Sequence, residues 1–78
     1  MAVKVQIDLN TNDQRHRTTA RTVAATAANG LRSVQFVGEG GGVLEVIAAS
    51  IDAATVVENI RGNAGLRGAK LICVVEQS

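Results

Sequence analysis

Aromatic side chains are nearly missing: Phe36 is the only one in 78 residues, with no Trp and no Tyr. That removes the stacking platforms on which RNA-binding sheets and single-strand binders depend. A net charge of +1 gives no basic field to replace them, so nucleic acid is not an expected partner. Cysteine occurs once, at Cys73, which excludes an internal disulfide and a multi-thiolate metal site within one chain. Proline does not occur, so nothing of that kind interrupts an element. No apolar run approaches ~18 residues, and Lys4, Asp8, Asp13, Arg15 and Arg17 crowd the first twenty positions. The expectation is therefore no membrane span, no signal peptide and an intracellular, cytoplasmic setting. Histidine occurs once, at His16 between Arg15 and Arg17, where neighbouring cations disfavour a bound metal. No Ser or Cys has a His and an acid placed to activate it, so the chain is not expected to be an enzyme, and no cofactor is expected.

What is present is aliphatic. Hydrophobic residues make up 46% of the chain, enough for one small core of Val, Ile, Leu and Ala, and residues 1–78 are expected to form a single domain. Val3 to Leu9 alternates without error, predicting a strand with Val3, Val5, Ile7 and Leu9 inward and Lys4, Gln6 and Asp8 outward. Asn12 or Asp13 can cap a helix whose stripe is Ala20, Val23, Ala24, Ala27 and Leu31, with Asn29-Gly30 as its stop. Ser33–Val37 and Val43–Ala49 read as strands joined by a flexible Gly-rich hairpin, Gly38-Glu39-Gly40-Gly41-Gly42. That cluster lacks phosphate-loop spacing and leads into a strand, not into a helix N-terminus. Asp52 caps a second helix carrying Ala53, Val56, Val57 and Ile60, and Lys70–Glu76 is a fourth strand. The order strand, helix, strand, strand, helix, strand predicts an α+β ferredoxin-like sandwich. Four antiparallel strands carry both helices on one face, with the first and third strands central.

The uncovered face is where function is expected. Leu71 to Val75 is apolar throughout; if Ile72 and Val74 point inward, Leu71, Cys73 and Val75 emerge on the open face, with Cys73 serving as a small apolar filler. Val43 and Ile47 flank Glu45 on the same side. Such a face suits a protein partner, and its edge suits weak homodimerisation. Charge is also uneven, at +3 over residues 1–34 and −2 over residues 35–78, with Arg15, His16, Arg17 and Arg21 forming a basic helix face.

Three stretches carry a family resemblance: Val34-Gln35-Phe36-Val37-Gly38-Glu39, Leu44-Glu45-Val46-Ile47, and Ile51-Asp52-Ala53-Ala54 with Val57 and Ile60-Arg61. Over roughly residues 3–76 the chain resembles plant heavy-metal-associated (HMA) domains, most closely those integrated into cereal NLR immune receptors. Metal-carrying members hold Cu(I) with an M-x-C-x-x-C loop after the first strand. Here the loop reads Leu9-Asn10-Thr11-Asn12-Asp13-Gln14-Arg15-His16, longer and without cysteine, so no metal site is expected. The resemblance implies an integrated decoy or sensor domain that binds fungal effector proteins. It implies a binding surface of Ser33, Val37, Glu39, Val43, Glu45, Ile47, Val75 and Glu76, and an alternative surface with Arg21, Arg32 and Val34. Val43 and Val75 replace polar residues of relatives. Other readings are a free-standing HMA-like host protein, a metallochaperone-type metal carrier, and a small-molecule regulatory domain of the same shape.

Overall fold

The computed structural model describes residues 2–11, 13–63 and 65–77, with only the backbone considered at Glu39, Asn63 and Gln77. The alternating run at the start forms β1 (Ala2–Asp8), and Asp13 ends the following loop. The Asp13 carboxylate accepts the Arg15 N–H at 2.9 Å, which caps α1 (Gln14–Ala27); Asn12 lies outside the described residues. Four threonines on α1 turn their hydroxyls back to the carbonyl four residues earlier, Thr18 to Gln14, Thr19 to Arg15, Thr22 to Thr18 and Thr26 to Thr22. Those bonds satisfy the hydroxyls within the helix itself.

The helix ends earlier than its apolar spacing suggests. Ala28 is already extended and opens β2 (Ala28–Val37), so Asn29 and Gly30 lie in a strand. Gly30 has a φ of +64°, and a Cβ there would stand 2.7 Å from the Ala49 Cβ. Its role is close approach between strands, not a helix stop. Leu31, four residues after Ala27, fits the helical stripe by spacing but sits opposite Ala48 in the sheet, 43% exposed.

The expected Gly-rich hairpin is formed, with Val37 opposite Val43, and residues Glu39–Gly41 within it make a 3-10 turn. The Gly41 N–H donates to the Gly38 carbonyl at 3.1 Å, and the Arg17 guanidinium reaches from α1 to the Gly40 carbonyl at 2.8 Å. The chain continues as β3 (Val43–Ile51), α2 (Ala53–Asn63) and β4 (Lys70–Gln77). Asp52 caps α2 through the Thr55 N–H at 3.2 Å and the Thr55 hydroxyl at 2.9 Å. Arg61 donates to the Ala69 carbonyl at 2.9 Å, tying the end of α2 to the loop before β4.

The strands form one antiparallel sheet in the order β2-β3-β1-β4, so β1 and β3 are central and the fold is the ferredoxin-like βαββαβ sandwich. Val5, Ile7 and Leu9 meet Leu44 and Val46 beneath Ala20 and Ala24 of α1 and Val56, Val57 and Ile60 of α2. Leu66 and Ala69 close the end of this core. The alanines let α1 lie close to the sheet, and desolvation of the larger aliphatics holds the layers together.

Candidate functional site

The pairing registers turn the uncovered face into three rows crossing the sheet. The middle row is Gln35, Glu45, Gln6 and Cys73, in spatial order β2-β3-β1-β4. One flanking row is Ser33, Ile47, Lys4 and Val75; the other is Val37, Val43, Asp8 and Lys70. A polar row therefore runs across all four strands, and the rows above and below it mix aliphatic side chains (Ile47 and Val75; Val37 and Val43) with Ser33, Lys4, Asp8 and Lys70. Strand alternation places these residues on one face, because successive side chains point to opposite sides.

Glu45 occupies the centre and is the buried charged residue among the described residues, 9% exposed although no helix covers it. Its neighbours bury it. The Gln35 amide donates to Glu45 Oε2 at 2.9 Å, and Lys4 Nζ stands 3.9 Å from Oε1. On the other side, Cys73 Sγ lies 3.3 Å from Gln6 Oε1. The carboxylate is thus held in one orientation, and no second hydrogen-bond donor reaches it among the described residues. An oriented acceptor with spare lone pairs, already stripped of most of its water, is prepared to receive a cationic or N–H group.

The other expected site residues fall into several places. Ser33, Val37, Val43 and Ile47 are half-buried on this face, and Val75 joins them from β4. Glu76 does not: it pairs with Val3 and so points to the helix side. The Glu39 side chain lies outside the described residues. Of the alternative surface, Arg21 is exposed on α1 in a shallow groove of about 430 Å³ with Thr18, Thr22, Ala25 and Thr26. Arg32 is the extra residue of a bulge in β2, and Val34 turns inward opposite Val46, packed against the core.

Strand β4 departs from its expected facing. A bulge between Gln6 and Ile7 of β1 leaves Ile72 unpaired, with Cys73 opposite Gln6 and Leu71 opposite Ile7. Leu71 is therefore on the helix side, while Cys73 and Val75 remain on the open face. Ile72 and Val74 do not enter the core; they are 51% and 49% exposed, because the helices leave β4 largely uncovered. Cys73 is half-buried beside a polar amide, not an apolar filler.

Gln35, Gln6 and Lys4 are the members of this site that sequence reasoning did not single out. Their outward positions were legible from alternation, but their convergence on Glu45 depends on register. Among the described residues, no three His, Cys, Asp or Glu side chains form a group able to hold a metal ion, and no helix is long and apolar enough to cross a membrane. Comparison with protein-family models and with curated proteins yields no match.

Proposed function

We propose that the chain is a non-enzymatic protein-binding module that recognises its partner on the uncovered sheet face, with Glu45 as the charged anchor. The observation that carries this reading is a carboxylate held at 9% exposure by Gln35 and Lys4 at the centre of a face with no helix over it. A solvated sheet face has no need to fix and dehydrate a carboxylate. Val37, Val43, Ile47 and Val75 around it supply apolar area, and the carboxylate supplies orientation and selectivity.

The resemblance to HMA domains of cereal immune receptors supports a more specific reading. In it the module is the integrated decoy of a cytoplasmic plant NLR receptor, and its partner is a fungal effector protein presenting a Lys, Arg or N–H group to Glu45. The test is titration calorimetry of the domain against a panel of purified fungal effectors, with Glu45→Arg and Arg21→Glu alongside. Truncating one member of a desolvated charged pair costs ~2–5 kcal/mol, so Glu45→Arg should weaken a bound effector by roughly 30-fold or more. Arg21→Glu should leave it within a few-fold. If Glu45→Arg leaves affinity unchanged while Arg21→Glu abolishes it, recognition lies on α1 and the proposed face is wrong. If no effector binds, the effector reading fails.

A further inference from the structure

Glu45 keeps unused hydrogen-bonding capacity after its neighbours have closed round it. An ionised carboxylate offers about four lone-pair sites. The Gln35 amide takes one of them, on Oε2 at 2.9 Å, and no other side-chain donor bonds either oxygen among the described residues. Lys4 does not fill the gap. Its ammonium stands off at 3.9 Å from Oε1, too long for a hydrogen bond, on a side chain that is 27% exposed. A compact, strongly hydrated point charge keeps its water and does not seat here. The Glu45 side chain is 11% exposed, so the approach to it is open but narrow.

We propose that the group this site takes from a protein partner is an arginine side chain in particular. The inference rests on the open sheet face being the recognition surface, and it narrows what that face recognises. A guanidinium is planar and carries parallel N–H groups that meet both oxygens of one carboxylate at once; three donors on a single nitrogen do not. Bidentate contact uses Oε1, which has no hydrogen-bond donor, and a spare lone pair of Oε2 beside the Gln35 bond. Val43 and Ile47 flank Glu45 on the same face of β3, one on each side of the approach. A guanidinium is more weakly hydrated than an ammonium, so it loses less on entering between two aliphatic side chains.

Gln35 and Lys4 then have opposite roles. Gln35 is a positioning residue, because its bond to Oε2 holds the carboxylate plane for the arriving fork. Lys4 is a competitor: its charge opposes a second cation, and its partly solvated stem lets it give way. Asp8, the other carboxylate of this face among the described residues, is no rival for the arginine. It lies opposite Lys70 across the β1–β4 pair, and its Oδ1 already accepts the Asn10 N–H at 2.9 Å.

The experiment is an NMR titration of the isotope-labelled chain, at low salt and neutral pH, with three blocked tripeptides. Each is acetyl-Ala-X-Ala-amide, with X arginine, lysine or the neutral isostere citrulline. The arginine peptide should shift the Gln35 side-chain amide and the backbone amides of Val43, Glu45 and Ile47 saturably. Its dissociation constant should lie about fivefold or more below that of the lysine peptide, and citrulline should not bind. Glu45→Gln should weaken the arginine peptide by about tenfold or more, and Lys4→Met should tighten it by about twofold or more. Thermal midpoints check that both variants fold; if Glu45→Gln does not, the three peptides on the parent chain and Lys4→Met decide. Equal binding of arginine and lysine, or no saturable shift with arginine, overturns the inference and leaves the Glu45 anchor to the effector titration. Arginine binding that is unchanged in Glu45→Gln overturns the inference and the Glu45-centred face together.

Discussion

Replacing Glu45 with methionine should leave the free domain at least as stable as before while destroying recognition. The magnitude follows from what surrounds the carboxylate. Its side chain is 11% exposed, so most of its hydration is lost, and an ion in that condition carries an effective penalty of several kcal/mol. Against this stand one charge-assisted hydrogen bond from Gln35, about 1.5–3 kcal/mol, and a 3.9 Å contact with Lys4. The Lys4 side chain is 27% exposed, and a long, partly solvated pair of that kind contributes at most ~1 kcal/mol. The two sides nearly cancel. Methionine removes the penalty, keeps the volume and packs between Val43 and Ile47, leaving only the Gln35 amide to find water at the sheet surface.

The expected change is between 0 and about +2 kcal/mol of stability, or up to ~16 °C in Tm for a domain of this size. The assay is urea denaturation of Glu45→Met beside the parent, with the m-value as a check that the same surface unfolds. Effector titration on the same variant should show the loss expected of Glu45→Arg. A destabilisation of ~1 kcal/mol or more would refute the reasoning, because Glu45 would then be a structural tie between β2, β3 and β1.

Three other outcomes follow from the structure. The Asp13 and Asp52 carboxyls are held below their ordinary value of 3.8, chiefly by the N–H groups of Arg15 and Thr55. Their stabilising effect is complete above that value and is lost as pH falls through their lowered folded values; Asp52→Ala should lower Tm at pH 7 and flatten its acid dependence below pH ~4, read by thermal melts. Gly30→Ala should destabilise by at least ~1 kcal/mol, because it adds a Cβ 2.7 Å from Ala49 at a φ of +64°; Gly40, also left-handed but with open space around it, should tolerate alanine better in the same assay. Chelator-competition titration with Cu(I) or Zn(II) should find no stoichiometric site on the monomer, since Cys73 is the only thiol; one metal per chain at sub-micromolar affinity would contradict this.

The elements were legible where a period was clean. Val3 to Leu9 alternates without error and forms β1 with the expected residues inward, and Asp52 caps α2 as its position suggests. Period fails where two geometries share it. Leu31 follows Ala27 at helical spacing, yet the chain turns extended at Ala28, and no spacing rule locates that change. In β4 the difficulty is different: five apolar residues carry no alternation, so nothing marks the extra residue at Ile72, and one extra residue moves Leu71 to the other face. The site was half legible for the same reason. Alternation puts Glu45 between Val43 and Ile47, but its burial comes from Gln35 and Lys4 on neighbouring strands, and sequence spacing does not supply that register.

Two local choices run against stability, and both lie on surfaces free to meet another molecule. An apolar residue at position 45 would hold β2, β3 and β1 at least as well as a dehydrated carboxylate. A lysine or proline within Leu71–Val75 would protect an edge that β2 protects with Arg32. A domain whose core contains only aliphatic side chains, with alanines on α1, has little stability to spare for such departures. Departures of this kind in an otherwise self-consistent fold are expected at functional surfaces, which is the sense in which they support the proposed binding face. The two are also separate in space. Glu45 lies two strands inward from the β4 edge on the broad face, so a contact at one does not cover the other.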